Sequence, residues 1–166
     1  YQPKIDLSTG AVLGAEALLR WLNEDGTPIL APQAVVALAN RTGQAFELTR
    51  WVAAQCMRTL STWEEGIGTN LAFNLQADLV GERDLLTVLQ DTQAIWGVDL
   101  RRLTVEITED AILDDQEGGF GNLARLRDIG VQLSIDDFGT GYSSMSYFQQ
   151  IPATELKIDQ SFVRTM

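Results

Sequence analysis

Four short apolar runs in this chain each close on a side chain that carries an oxygen donor or a charge. Leu71-Ala72-Phe73 ends at Asn74, Leu103-Thr104-Val105 at Glu106 and Val131 to Ile135 at Asp136, while Leu156 leads into Lys157. Between them lie stretches with apolar residues at helical spacing: Asp84 to Trp96 closed by Gly97, and Asn122 to Ile129 closed by Gly130. Tyr142 to Gln150 reads as a further helix, broken by Pro152. The strand ends recur every 20 to 30 residues or so, the spacing of a strand-helix-strand succession. Such a succession requires parallel strands with helices packed outside them. Right-handed crossovers then set successive strands side by side. Their carboxyl ends converge on one face, which in a barrel of this kind is the active-site face.

Upstream, Tyr1-Gln2-Pro3 reads as the end of a strand, Asp6 to Gly10 as a turn and Ala11 to Arg20 as the next strand. Glu16 stands inside that otherwise apolar run, where a lone carboxylate needs a partner. Pro32 suits the first residue of a helix over Pro32 to Asn40, and Phe46 to Thr62 repeats apolar positions at helical spacing. Trp21, Trp51, Trp63 and Trp96 read as core or helix-packing residues, and Cys56 as a buried thiol on a helix.

Histidine is absent and Cys56 is the sole cysteine, which excludes Ser-His-Asp and Cys-His catalysis, imidazole-based zinc sites and an internal disulfide framework. Hard oxygen donors are the metal ligands that remain. A net charge of -11 argues against nucleic-acid polymers but leaves room for a small phosphate ligand held through a metal ion. No apolar run approaches the roughly 20 residues of a membrane span, so no membrane contact is expected of this segment. The single cysteine fits a reducing compartment, the cytoplasm.

Collected, the strand-end residues are Glu16, Asn74, Glu106, Asp136, Asp137 and Lys157. Four carboxylates and an amide oxygen suit magnesium or manganese, and also calcium. The adjacent anions Asp136 and Asp137 repel unless a cation lies near them. Carboxylates spread over several strands leave room for two ions that would activate water as hydroxide and stabilise a leaving phosphodiester oxygen. Lys157 could orient the water or neutralise charge in the transition state. Taken singly, each residue has a duller reading. Glu16 or Glu106 could pair with arginine, Asn74 could form a turn, Lys157 could be solvated, and Asp137 or Asp159 could cap a helix. Asp137-Phe138-Gly139 resembles the metal-binding tripeptide of kinases, but their histidine-containing catalytic loop is missing.

At this point the motifs resemble the EAL domain, the bacterial cyclic di-GMP phosphodiesterase family. The resemblance rests on Glu16-Ala17-Leu18 followed by Leu19-Arg20-Trp21, together with Tyr1-Gln2-Pro3, Asn74-Leu75, Glu106 to Glu109, Asp136 to Ser144 and Glu155 to Asp159, all in order. It implies a TIM-like (β/α)8 barrel variant with an antiparallel first strand. Six strands are countable here, and such barrels take about 250 residues. The chain, residues 1 to 166, is therefore read as one EAL-type domain truncated at both ends, with the strands after Met166 missing. The resemblance further implies Glu16, Asn74, Glu106, Asp136 and Asp137 as ligands of magnesium or manganese, two ions in all, with calcium inhibitory. By the same resemblance Lys157 contacts the nucleophilic water, and Gln2, Leu18 and Arg20 touch the cyclic dinucleotide. Glu109 anchors the Asp-Phe-Gly-Thr-Gly loop. The implied reaction opens one phosphodiester of cyclic di-GMP to give linear pGpG, in a homodimer fused to sensor or diguanylate-cyclase-type domains. It is located in the cytoplasm or in the cytoplasmic part of a membrane-anchored sensor. The rival reading is a receptor that binds cyclic di-GMP without hydrolysis. A third is an interaction module with a vestigial site.

Overall fold

In the computed structural model, residues 1–63, 70–109, 111, 119–139 and 151–164 are described. The first strand, β1 (Gln2–Ile5), turns back through Asp6 to Gly10 into β2 (Val12–Ala17). Asp6 Oδ1 pins the turn by accepting from the backbone N–H of Ser8 at 2.8 Å and of Thr9 at 2.9 Å, while Gly10 takes a positive φ of 73°. The two strands are antiparallel, with Gln2 opposite Glu16 and Lys4 opposite Gly14.

Beyond β2 the chain makes a small hairpin, β3 (Trp21–Leu22) with β4 (Pro28–Leu30). Two helices follow, α1 (Pro32–Arg41), with its proline in the first turn, and α2 (Ala45–Leu60). Then come β5 (Asn70–Asn74), α3 (Asp84–Trp96), β6 (Leu103–Thr108), α4 (Gly119–Asp128), β7 (Gln132–Phe138), β8 (Glu155–Ile158) and the short α5 (Gln160–Val163). The six longer-range strands form one sheet in the order β1-β2-β5-β6-β7-β8, parallel from β2 onward. The expected α/β architecture with an antiparallel first strand is therefore present.

Side chains alternate across each strand, and the alternation divides the molecule. Leu71 and Phe73 of β5, Leu103, Val105 and Ile107 of β6, and Leu133 and Ile135 of β7 are buried in one core. Met57 and Leu60 of α2, Leu85 and Leu89 of α3, and Leu123 and Leu126 of α4 join the same cluster. Burying one such side chain contributes roughly 1.5–3 kcal/mol. The opposite positions, Lys4, Glu16, Glu106, Ser134, Asp136, Glu155 and Lys157, hydrogen-bond among themselves on the concave side. Gly14 of β2 lies where a Cβ would meet the Asn70 carbonyl oxygen at 2.3 Å, so only glycine lets β2 approach β5 there.

Several local expectations differ from the structure. The second strand ends at Ala17 and not Arg20, because Leu18 to Arg20 leave the sheet for the hairpin. Helix α4 begins at Gly119, ahead of Asn122. Trp21, Trp51 and Trp96 are substantially exposed: α2 buries a stripe through Thr49, Ala53, Cys56, Met57 and Leu60, and Trp51 faces away from it. Trp63 does pack against the core, edge-on to Tyr1. Cys56 is buried as expected. The expected helix at Tyr142 to Gln150 lies outside the described residues. No helix among the described residues is long and apolar enough to cross a membrane.

Candidate metal centre

Parallel pairing carries Glu16, Glu106 and Asp136 from three strands to the same end of the concave face. One carboxylate oxygen from each lies within 4.8 Å of the others. Lys157 of β8 holds the group together: its Nζ donates to Asp136 Oδ2 at 2.8 Å, Glu106 Oε2 at 2.9 Å and Glu16 Oε2 at 3.2 Å. The side-chain amide of Asn74, at the end of β5, donates to Glu16 Oε1 at 2.9 Å.

Glu106 is the centre of the arrangement and has no exposed surface. Its second oxygen, Oε1, accepts from Lys4 Nζ at 3.0 Å, and Lys4 also donates to Glu155 Oε1 at 2.7 Å. Ser134 Oγ reaches the same Glu155 oxygen at 3.2 Å. Burial raises the Glu106 pKa above the usual carboxylate range, an effect that the hydrogen bonds from Lys157 and Lys4 oppose without cancelling. Burial alone would lower both lysines. Hydrogen bonds to Asp136 and Glu106 outweigh it at Lys157, as those to Glu155 and Glu106 do at Lys4, so both ammonium groups are held charged.

Asp137 stands beside this cluster and is not part of the three-carboxylate group. Its φ of 54° is unusual for a residue with a side chain. Burial, then the charges of Asp136 and Asp159, raise its pKa. The bend it makes leads into Gly139, whose N–H donates to Oε2 of the buried Glu109 at 2.8 Å. Glu109 thus ties the start of the loop after β7 to the end of β6. Thr140 to Gln150 lie outside the described residues.

A groove of about 1220 Å³ opens next to the cluster, lined by Leu18, Arg20, Asn74 and Asp137 together with residues of the β3–β4 hairpin and of α1 and α2. Arg20 is exposed, and its guanidinium donates to the Leu19 carbonyl at 2.7 Å. Gln2 is exposed on β1, opposite Glu16 in register, and is not one of the groove residues.

Sequence reasoning brought forward Glu16, Asn74, Glu106, Asp136 and Lys157, and the structure gathers these. It passed over Lys4 and Glu155. The available signal was the period-2 pattern itself: Lys4 precedes Ile5, and Glu155 sits two residues before Lys157 on one face of a strand.

The donor chemistry fits a hard divalent cation. Glu16, Glu106, Asp136 and Glu155 against Lys157 and Lys4 make four anions and two cations, an excess of two negative charges among linked groups. All candidate donors are oxygens, the preference of magnesium, manganese and calcium.

The wound α/β sheet, six strands curled into half a barrel with acidic side chains converging at its carboxyl-terminal rim, matches TIM-like structures. The EAL domain family model matches residues 1–166, and the chain belongs to that family. It is 36% identical to a cyclic di-GMP phosphodiesterase of Pseudomonas aeruginosa over 167 residues, all of this chain and 28% of that protein. It is 39% identical to the oxygen sensor protein DosP of Escherichia coli over 98% of this chain and 20% of that protein. The solved PaMucR phosphodiesterase in complex with c-di-GMP, from Pseudomonas aeruginosa, superimposes with a TM-score of 0.88 at 34% identity. That match covers 99% of this chain and 67% of the solved one. The chain spans about a quarter of the length of the curated relatives it matches.

Proposed function

We propose that this chain is part of the catalytic domain of a metal-dependent cyclic di-GMP phosphodiesterase, and that the complete domain opens one phosphodiester to give linear pGpG. The observation that carries the reading is the convergence of Glu16, Glu106 and Asp136 around Lys157, beside a groove lined by Leu18 and Arg20. The names of its relatives support the substrate.

Glu16, Glu106 and Asp136, with Asn74 and Asp137 at the rim, would hold magnesium or manganese in one or two sites. The cation supplies Lewis-acid activation of water and charge neutralisation at the phosphoryl group. Lys157 keeps a fixed positive charge among the carboxylates and would orient the attacking water. Arg20 offers a fork of N–H donors to a phosphate oxygen, a role suited to guanidinium geometry. Leu18 provides an apolar wall for a nucleobase, and Gln2 a polar contact from β1. Glu109 acts through the backbone N–H of Gly139 by fixing the path of the loop that follows Asp136 and Asp137. The groove is large enough for a dinucleotide-sized ligand, since ordinary ligand pockets run about 300–1,000 Å³.

Calcium would occupy the same oxygens without supporting turnover. The reading includes a homodimer in the cytoplasm and flanking sensor or cyclase-type domains, the last supported by relatives far longer than this chain. The test is incubation of the full-length protein with cyclic di-GMP and magnesium or manganese, with products separated by liquid chromatography. Accumulation of pGpG is the expected result. Tight binding with no product at any metal concentration defeats the enzyme reading and favours a receptor.

A further inference from the structure

The two oxygens of Glu106 face two different ammonium groups. Oε2 belongs to the cluster with Glu16, Asp136 and Lys157, while Oε1 is held by Lys4. Lys4 is itself fixed from the far side by Glu155, which also accepts from Ser134. Lys4 comes from β1 and Glu155 from β8, the two outer strands of the six-stranded sheet, so this bridge spans the concave face from edge to edge.

We infer that Lys4 is a positioning residue for the metal centre: it fixes the Glu106 carboxylate so that Oε2 is presented to the cation. Glu106 has no exposed surface, so a donor lost from Oε1 leaves a buried carboxylate oxygen short of its partner. A charge-assisted hydrogen bond at that oxygen sets the carboxylate plane, and a ligand without its supporting partner binds metal less well by about 10- to 100-fold. The inference rests on the metal-centre reading above.

The sign of the effect separates positioning from simple charge. Removing a positive charge near a divalent cation should tighten binding if Lys4 acted only through its field. Loss of positioning weakens it. The experiment is titration of Mn2+ alone into the full-length protein by calorimetry, for the natural sequence, Lys4→Met, Lys4→Gln and Lys4→Arg, each checked for cooperative thermal melting. Lys4→Met is expected to weaken Mn2+ binding about 10-fold or more, Lys4→Gln less because its amide still offers N–H donors, and Lys4→Arg least. The Mn2+ concentration for half-maximal turnover should rise in parallel in Lys4→Met, with the KM for cyclic di-GMP at saturating metal unchanged. Unchanged or tighter Mn2+ binding in whichever of the methionine and glutamine variants melts cooperatively overturns the inference. Absence of Mn2+ binding by the natural sequence overturns the metal-centre reading itself, and this inference with it.

Discussion

Lys157 Nζ lies 2.9 Å from Oε2 of Glu106, a carboxylate with no exposed surface, and the two come from strands 51 residues apart in sequence. The same ammonium serves Glu16 and Asp136, whose side chains keep only slight solvent contact. Replacing Lys157 with methionine therefore leaves three acids facing one another. Breaking a buried pair costs about 3–5 kcal/mol, and the residual exposure of Lys157 brings the expectation to about 2–3 kcal/mol. Urea unfolding at neutral pH without divalent cations measures it. A midpoint equal to that of the natural sequence would show that the ion cluster contributes nothing to the fold.

Glu16 takes the amide of Asn74 on one oxygen and Lys157 on the other, and it lies on a strand whose apolar residues pack elsewhere. Its removal should touch chemistry more than folding. Glu16→Ala is expected to abolish pGpG formation while keeping a cooperative melt, read by product analysis and circular dichroism on the same sample. Near-normal turnover in that variant refutes a ligand role for Glu16.

Much of this arrangement was legible from residue order, for a physical reason. A strand buried against helices on one side must be apolar at alternate positions, so a polar residue at its carboxyl end stands out. Asn74, Glu106 and Asp136 were found this way, as was Gly97 closing α3 with a φ of 65°. Lys4 and Glu155 were not, because alternation puts each on the polar face of a short strand but does not reveal the partner it meets. Their pairing depends on the curl that brings β1 and β8 within reach across 151 residues of sequence. The β3–β4 hairpin was missed although Asp25-Gly26 is a turn signal, since its strands are only two and three residues long. The exposed tryptophans mislead for another reason. Aromatic residues mark a buried face only when they lie in phase with the stripe, and Trp51 is out of phase on α2.

Gly139 has a φ of 101°, and a Cβ there would meet Cε2 of Phe162 at 2.8 Å. Both the backbone region and the neighbouring ring oppose a side chain. Gly139→Ala should lower stability by about 1–3 kcal/mol, and it should lower turnover further by shifting the loop that Glu109 holds. Glu109→Ala, which removes the acceptor for the Gly139 N–H, should reduce turnover in the same direction. Denaturant midpoints and initial rates on both variants test the pair. Full activity in Gly139→Ala would show that this bend has no part in the site.

Cys56 sits on the buried stripe of α2, and burial pushes its thiol up to about 12 from its ordinary value of 9.0. The sign follows directly. The folded protein holds the proton more tightly than the unfolded chain, so the contribution is fully present below pH 9 and is lost as pH rises through about 12. Lys4 and Lys157, also raised, lose their contributions in the alkaline direction too, so the natural sequence alone cannot isolate the thiol. Comparison with Cys56→Ala can: the stability advantage of cysteine over alanine should shrink as the pH is taken from 9 towards 12. Reactivity gives a second readout, because the thiolate is the nucleophile. At pH 8 a disulfide reagent such as DTNB should leave the folded protein unmodified and label it only as urea unfolds it. Rapid labelling of the folded protein would place Cys56 within reach of solvent and overturn the expectation.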